Sequence, residues 1–319
     1  MKIVLLETLR LGEDISLEPL KEFGDVIAFG ETNTYDEARQ RIGDADVVIV
    51  DQFPMNEESL SDAKNLKLVT MTSTGTDFVD TDYTNKRKLL VSNIRGYSTY
   101  SVAQHTITML LYLYEKLEVF NSYVKSGKYI NDTANSSFET RFHDLSNKTW
   151  GIVGLGKIGE QVARIATSLG CRVVYNSPSN NPHSSEYEHM SLTELLKCSD
   201  IVSVHCPLSE KTKNMFDKKA FSLMKENAYF INCARGGIVV EEDLVTAILN
   251  KEIAGAGLDV LVDEPMSTDT PIHKIMGLDN VIITPHMGWA SVESRTKAIE
   301  EIALNIKGFV NGKPRNVIC

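Results

Sequence analysis

Three short segments place chemically useful residues directly after strand-like runs. They are Asn232–Gly237, Gly257–Asp259 through Asp263–Pro265, and Thr284–His286. An arginine fork matches a carboxylate bidentately, a histidine can donate a proton near neutral pH, and a nearby carboxylate favours the charged imidazole. These residue types suit the reduction of a 2-oxo acid. A single arginine, glutamate or histidine is more often structural or on the surface, so the types alone leave that interpretation open.

A glycine-rich turn, Gly154-Leu155-Gly156-Lys157-Ile158-Gly159, matches the pattern G-x-G-x-x-G. The hexapeptide alone is a weak signal, but here it follows the apolar run 150–153 and precedes the helical pattern of 160–169. In that setting the glycines allow a tight turn, backbone amides close to a pyrophosphate, and close packing of helix on strand. A strand–helix turn that is rich in glycine by chance is the alternative. We predict that the turn binds a dinucleotide.

The residue at the end of the next strand discriminates only weakly between NAD and NADP as the cofactor. The motif requires an acid about 20 residues on, at the ribose, and we assign Asn176 to this place. Asparagine lacks the charge that repels a 2′-phosphate, yet no lysine or arginine lies between Val173 and Leu196 to bind one. Possible neighbours of such a phosphate are Arg172, Ser177, Ser179 and His183. The prediction is NAD, with NADP left open.

The elements that must position these residues alternate regularly along the chain. Five strand-like runs from KIVLLE to KLLVSN, and six more from WGIVGLG to NVIITPH, are mostly separated by helical patterns. This alternation predicts an α/β fold with parallel sheets. We also predict one long helix from Ser98 through SVAQHTITMLLYLYEKLEVF, a linker or surface arm over 125–148 and a closing helix over 291–310. His105 and His205 lie in apolar runs and are interpreted as core or interface residues.

The bulk properties narrow the class of protein. A chain of 319 residues exceeds the usual size of one core, which predicts two domains. The net charge of −10 argues against a general nucleic-acid surface. Without an apolar run of ~20 residues or a signal-peptide pattern, we expect a soluble cytoplasmic protein that is not attached to a membrane. The five cysteines are scattered and lack metal-ligand spacing, so we expect free thiols and no metal site.

NCARGG, GLDVLVDEP and TPHMGWAS, in this order after GLGKIG, resemble the signature blocks of the D-isomer-specific 2-hydroxyacid dehydrogenase family. The similarity extends to STGTD at 73–77 and GYSTYSVAQH at 96–105, so it covers nearly the whole chain. The resemblance implies two Rossmann-like or flavodoxin-like parallel-sheet domains with the active site in the cleft between them. An NAD(P)-binding domain, 98–286, would be inserted into a substrate domain formed by 1–97 and 287–319. It also implies a homodimer.

The resemblance further implies roles for individual residues. Arg235 would hold the substrate carboxylate and polarise its carbonyl, His286 would donate the proton, and Glu264 would orient and charge His286. The turn Ser73–Gly75 would bind the carboxylate through the amides of Thr74 and Gly75. The residues implied to contact the cofactor are Gly154, Gly156, Lys157, Ile158, Gly159, Asn176, Cys206, Pro207, Cys233, Ala234, Asp259 and His286.

Within the family, GYSTYSVAQHT and PHMGWAS most resemble the glycerate dehydrogenase (hydroxypyruvate reductase) branch. The large ring of Trp289 would narrow the pocket around hydroxypyruvate or glyoxylate, although packing between the lobes explains a tryptophan there equally well. Phe53 and Pro54 are assigned to the same wall. Two alternatives stay open: a D-2-hydroxyacid dehydrogenase for bulkier 2-oxo acids, and a nucleotide-sensing, corepressor-like binding protein.

Overall fold

The computed structural model describes residues 1–132, 136, 138–179, 184 and 186–319, which form two compact units. The first unit comprises Met1–Ser98 and Trp289–Cys319, and the second comprises Thr99–Gly288. The strands are β1 (Lys2–Leu5), β2 (Asp25–Ala28), β3 (Val47–Val50), β4 (Leu68–Met71), β5 (Leu90–Ser92), β6 (Thr149–Val153), β7 (Arg172–Asn176), β8 (Glu188–His189), β9 (Ile201–Val204), β10 (Tyr229–Asn232), β11 (Gly255–Leu258) and β12 (Val281–Ile283). The helices are α1 (Glu18–Lys21), α2 (Tyr35–Ile42), α3 (Glu57–Leu60), α4 (Thr81–Lys86), α5 (Thr99–Tyr114), α6 (Leu117–Lys125), α7 (Lys157–Ser168), α8 (Leu192–Cys198), α9 (Lys218–Ser222), α10 (Glu241–Leu249) and α11 (Val292–Val310).

The first unit is built on a five-stranded sheet in the order β2-β1-β3-β4-β5. Every neighbouring pair is parallel, and β3 and β4 are buried along their whole length. Apolar runs such as VVIV are expected in strands that are covered on both faces. This order is the flavodoxin-like one, in which ligands bind where the strand order reverses, here between β1 and β3.

α11 covers one face of this first sheet. Its apolar stripe, formed by Ala298, Ile299, Ile302 and Ile306, packs in one core cluster with residues of β1, β3 and β4. Charged residues alternate with this stripe along the sequence, so the helix is amphipathic, as predicted for the closing segment. Among the described residues, no helix combines the length and the hydropathy that are needed to span a bilayer.

The second unit holds a seven-stranded parallel sheet in the order β12-β11-β10-β9-β6-β7-β8. The predicted α/β class with parallel sheets is therefore confirmed for both units. The strand order reverses between β6 and β9, which is the ligand-binding position in Rossmann-type sheets. Because carboxyl ends of parallel strands share one edge, the segments that follow β6, β9, β10 and β11 lie together there. These segments begin at Gly154, His205, Cys233 and Asp259.

The predicted single long helix after Ser98 is wrong in its second half. α5 ends at Tyr114, and α6 begins at Leu117 after Lys116, whose backbone is left-handed with φ 56°. The Lys116 Nζ donates to the hydroxyl of Tyr229 at 2.7 Å and lies 5.3 Å from the centre of that ring. This contact with β10 holds Lys116 in a conformation that ends a helix, and no local sequence pattern indicates it.

Candidate active site

His286 and Glu264 lie side by side in the second unit. Nδ1 of His286 is 2.6 Å from Oε2 of Glu264, and Oε1 of the same carboxylate accepts a hydrogen bond from the amide of Leu261 at 2.9 Å. The other ring nitrogen, Nε2, has no hydrogen-bond partner among the residues that the structure describes. The carboxylate thus fixes one ring nitrogen and leaves the other to exchange a proton with a ligand.

Glu264 is ionised at neutral pH. Burial acts to raise its pKa, but the hydrogen bond and charge of His286, the Leu261 amide and the charge of Arg235 together hold the pKa below its usual value. The guanidinium of Arg235 is therefore within electrostatic range of this carboxylate. The arginine, glutamate and histidine that sequence analysis selected from three distant segments lie in one region of the second unit.

A buried asparagine shapes the turn that carries Arg235. The side chain of Asn232 accepts from the Ala234 amide at 3.0 Å and donates to the Arg235 carbonyl at 3.0 Å. The next residue, Gly236, lies so close to the Glu264 segment that a Cβ there would be 1.9 Å from the carbonyl carbon of Leu261. The turn after β10 therefore packs directly on the loop after β11, and a larger residue at position 236 would separate Arg235 from Glu264.

Glu241, at the start of α10, holds the same loop from the other side. Its carboxylate accepts hydrogen bonds from the Val262 amide at 2.8 Å and from the hydroxyl of Thr270 at 2.9 Å. Acidic residues are common in the first turn of a helix, as in α10, so the sequence gives no sign of these contacts. Glu241 also supports the segment that bears Glu264.

The glycine turn after β6 has the geometry that a dinucleotide requires. Gly154 has φ 97°, and a Cβ there would lie 2.6 Å from the amide nitrogen of Cys206. A Cβ at Gly159 would lie 2.3 Å from the carbonyl oxygen of Gly154, so α7 packs closely on the turn. A Cβ at Gly156, by contrast, meets no atom within 4 Å, and no side chain caps α7 above it. Open space thus lies beside Gly156 at the N-terminus of α7, where unpaired helix amides favour an anion, and binding of a pyrophosphate there stays a prediction.

The turn Ser73–Gly75 in the first unit follows β4. The Thr74 hydroxyl donates to the Ile94 carbonyl at 2.8 Å, and the side chain of Asn93 donates to the Thr74 carbonyl at 2.8 Å. The amides of Thr74 and Gly75 donate no hydrogen bond to another described residue. The turn is thus fixed by its oxygens and presents two amide donors.

The second unit also matches a known protein family by sequence. Residues 107–288 match the sequence model of the D-isomer specific 2-hydroxyacid dehydrogenase, NAD binding domain. The chain belongs to the D-isomer specific 2-hydroxyacid dehydrogenase family. It is therefore an NAD(P)-dependent oxidoreductase that acts on the CH–OH group of 2-hydroxy acids.

Relatives and solved structures agree with this membership. The chain is 34% identical to a hydroxypyruvate reductase of Blautia hydrogenotrophica over all of its length and 99% of that protein. It is 32% identical to a glycerate dehydrogenase of Methylorubrum extorquens over 91% of this chain and 90% of that one. A D-lactate dehydrogenase from Aquifex aeolicus, complexed with NAD and lactic acid, has TM-score 0.84 and 30% identity over 98% and 96% of the two chains. An acyclic imino acid reductase in complex with NADPH and D-Arg has TM-score 0.89 and 29% identity over the full length of both.

In this dehydrogenase, the side chain assigned to the cofactor ribose is partly committed elsewhere. Asn176 is buried, and its side-chain nitrogen donates to the Met190 carbonyl at 2.9 Å, while its backbone carbonyl accepts from the Gly154 amide at 2.9 Å. Arg172 pairs with Glu188 at 2.6 Å. The Ser177 hydroxyl lies 3.1 Å from that of Ser179, and His183 lies outside the described residues. Contact of Asn176 with the ribose stays a prediction.

The two cysteines that were assigned to the cofactor path of the dehydrogenase are not activated as nucleophiles. Burial raises the pKa of Cys206 to about 11 and that of Cys233 to about 12, so both remain thiols at neutral pH. Their neighbours Pro207 and Ala234 are exposed and half-buried, respectively. The contacts of these four residues with the cofactor stay predictions.

Aromatic residues of the first unit were assigned to a pocket wall. Trp289 packs edge-on against Tyr97, with ring centres 6.3 Å apart, at the margin of the core under α11. Phe53 is buried, and the centre of its ring lies 5.6 Å from the centre of the Tyr35 ring. Both rings thus have packing partners within the first unit. Their contact with substrate stays a prediction.

Proposed function

We propose that this dehydrogenase reduces hydroxypyruvate to the D-2-hydroxy acid, or glyoxylate to the achiral glycolate, with NADH preferred and NADPH possible. The contact of 2.6 Å between His286 and Glu264 carries the proposal, since it is the proton-donating arrangement that the reaction requires. Support for the substrate comes from relatives named hydroxypyruvate reductase and glycerate dehydrogenase, at 34% and 32% identity.

The chain's own residues handle the proton and the developing charge. When bound, NAD(P)H supplies the hydride. Nε2 of His286 donates a proton to the carbonyl oxygen as that oxygen becomes an alkoxide, and accepts it back in the oxidative direction. Ionised Glu264 stabilises the imidazolium before the transfer and fixes the direction of the ring through Nδ1. Among the side chains named here, only His286 has to change its charge in this scheme.

Arg235 is proposed to bind the substrate carboxylate with its fork and to polarise the carbonyl. The amides of Thr74 and Gly75 are proposed to bind the same carboxylate, because they lack partners among the described residues. Trp289 and Phe53 are proposed to limit the size of the substrate. The pyrophosphate is proposed to bind at Gly154–Gly159, Asn176 at the ribose, and Asp259 beside the nicotinamide.

The two compact units are proposed to divide these tasks, with Thr99–Gly288 binding the nucleotide and the remainder carrying the substrate turn. We also propose a homodimer. α6 has no buried residue, and exposed apolar side chains occur on it and on the segment that follows, at Leu117, Val124, Ile130, Phe138 and Phe142, a set we name the arm patch. Free thiols at all five cysteines support a cytoplasmic location.

A panel of 2-oxo acids tests the proposed function. Hydroxypyruvate, glyoxylate, pyruvate, a branched 2-oxo acid and an aromatic one are each assayed with NADH and with NADPH. The products are resolved on a chiral column, except for the achiral glycolate that forms from glyoxylate. We expect kcat/KM for hydroxypyruvate or glyoxylate to exceed that for the bulky acids by about tenfold or more, because pocket size discriminates by this order. A higher kcat/KM for a bulky acid would refute the substrate, and no turnover with any acid would refute the activity.

A further inference from the structure

A buried carboxylate ties together the segments around His286. Oδ1 of Asp259 accepts hydrogen bonds from the Thr284 hydroxyl at 2.6 Å and the Met287 amide at 2.8 Å, and Oδ2 accepts from the Gly288 amide at 2.8 Å. Asp259 is 2% exposed. Burial acts to raise its pKa, but hydrogen bonds from His105, Thr284 and the two amides hold the pKa below its usual value. Apart from His105, the donors to this buried anion lie just before and just after His286.

His105, in the middle of α5, completes this network. Its Nε2 lies 2.9 Å from the Thr284 hydroxyl oxygen and 3.3 Å from Oδ1 of Asp259. The single hydroxyl hydrogen of Thr284 is directed to Asp259, so this oxygen can only accept from His105. Nε2 of His105 must therefore carry its hydrogen. Ser101, one turn earlier on α5, donates to the Gly288 carbonyl at 2.6 Å, so the same helix holds the segment at two points.

The backbone at His286 needs such support. Its φ is 55°, a left-handed conformation that is uncommon for a residue with a side chain. The His286 amide donates to the carbonyls of Asp259 at 2.8 Å and Thr284 at 2.9 Å. Because the next two amides are anchored on the Asp259 carboxylate, the direction of the imidazole follows from this network and not from the local sequence.

We propose that His105 is a positioning residue for the proton donor. By donating its Nε2 hydrogen to Thr284 and Asp259, it holds 284–288 in the conformation that sets the direction of His286. The proposal rests on the role proposed above for His286. It also gives α5 a part in the reaction, although His105 touches neither of the reacting groups assigned above and was interpreted from sequence as a core or interface residue.

Matched variants at His105 and at its partner Thr284 test the proposal. His105→Asn is too short to reach Thr284, whereas His105→Gln returns an N–H donor at the reach of Nε2. Gln104→Asn introduces the same side chain at the exposed neighbouring position. Thr284→Val removes the acceptor at nearly constant volume, and Thr284→Ser keeps it. For each variant we would measure kcat and KM with the best acid of the panel, the Kd of NADH by fluorescence, and Tm.

We expect His105→Asn and Thr284→Val to lower kcat by about tenfold to a hundredfold, since a small misplacement of a reacting group has effects of this size. KM and the Kd of NADH should stay within about twofold of wild type, because ground-state binding is unchanged. His105→Gln and Thr284→Ser should recover most of kcat, and Gln104→Asn should resemble wild type.

A lower Tm with unchanged kcat would assign His105 to stability alone and overturn the proposal. Loss of NADH affinity in place of kcat, or equal losses for the asparagine and glutamine variants, would also overturn it. His286→Gln in the same assay distinguishes failure of the role proposed for His286 from failure of the role proposed for His105. If His286→Gln keeps full turnover, the proposed role of His286 fails. If it is inactive while His105→Asn and Thr284→Val turn over like wild type, only the positioning role fails.

Discussion

At the scale of single residues, the free Nε2 of His286 is the atom on which the proposed chemistry depends. His286→Gln should lower kcat and kcat/KM together by ~10²–10⁴, because the lost interaction is made only in the transition state. Steady-state rates with the best acid of the panel check this, and the Kd of NADH should be unchanged. His273→Gln, at an exposed histidine, is the matched control. Turnover of His286→Gln within twofold of wild type would contradict the assignment.

Arg235 is proposed to act mainly on substrate capture. Arg235→Lys keeps the positive charge but loses the planar fork, so KM for the 2-oxo acid should rise about tenfold to a hundredfold, as expected for the loss of one charge-assisted hydrogen bond. The comparison variant is Arg164→Lys at an exposed position of α7. An unchanged KM for Arg235→Lys would show that the carboxylate binds elsewhere.

The lowered pKa of Glu264 makes its contribution to stability depend on pH. In the unfolded chain the carboxyl has its usual pKa of about 4.5, and in the folded enzyme its pKa is lower. Ionised Glu264 therefore stabilises the fold fully above the unfolded value, and this contribution is lost as the pH falls through the folded value. Urea unfolding should show Glu264→Gln to be less stable than wild type near neutral pH, with the gap closing in acid. Glu226→Gln, an exposed glutamate, should show no such gap; a gap for Glu264→Gln that is independent of pH would contradict the assignment.

The residues that we propose for the chemistry could be selected from the sequence, whereas the residues that hold them in place could not. Arg235, Glu264 and His286 follow strands and have types that suit the chemistry. Asn232 and Glu241 act on backbone groups, and any polar residue could do so in some fold. Glu241 meets the Val262 amide 21 residues away, a separation that no periodicity records. Such partners are set by tertiary packing.

At the scale of elements, two glycines of the cofactor turn have different functions that substitution can separate. Gly156→Ala adds a methyl group into open space, so the free enzyme should keep its Tm while the Kd of NADH rises about tenfold or more, because the methyl occupies the proposed path of the pyrophosphate. Gly154→Ala should lower both Tm and affinity, because its φ of 97° and the nearby Cys206 amide reject a side chain. Tm by calorimetry and NADH titration check both. Equal loss of Tm in the two variants, or unchanged affinity in Gly156→Ala, would contradict the assignment; Gly277→Ala, also in open space, is the control.

The strands were predictable because parallel strands buried on both faces leave apolar runs in the sequence. The same runs do not encode strand order, so the reversal between β6 and β9 is information that only the fold supplies. β8 has two residues, both exposed, and leaves no apolar signal. The break at Lys116 depends on Tyr229, which lies 113 positions away. Buried strands can thus be predicted from the sequence, whereas a helix break that depends on a distant contact cannot.

At the scale of the whole molecule, two features stand out on the described surface. The chain carries a net charge of −10, while the arm patch contains side chains such as Ile130 and Phe138 that are more than 80% exposed. An apolar patch of this kind on a charged surface favours association with a second copy. Since two copies with this charge repel each other, salt should strengthen the dimer by screening the repulsion.

Ile130→Lys and Phe138→Lys test the arm patch as the dimer interface. Light scattering coupled to size exclusion should give twice the chain mass of 35.5 kDa for wild type and a concentration-dependent shift towards one chain for the variants, because a buried lysine without a partner opposes association. Met276→Lys, at an exposed methionine outside the patch, should remain dimeric. A wild-type mass of one chain at every concentration would contradict the proposed homodimer. A dimer that both substitutions leave unchanged would show that the interface does not include the arm patch.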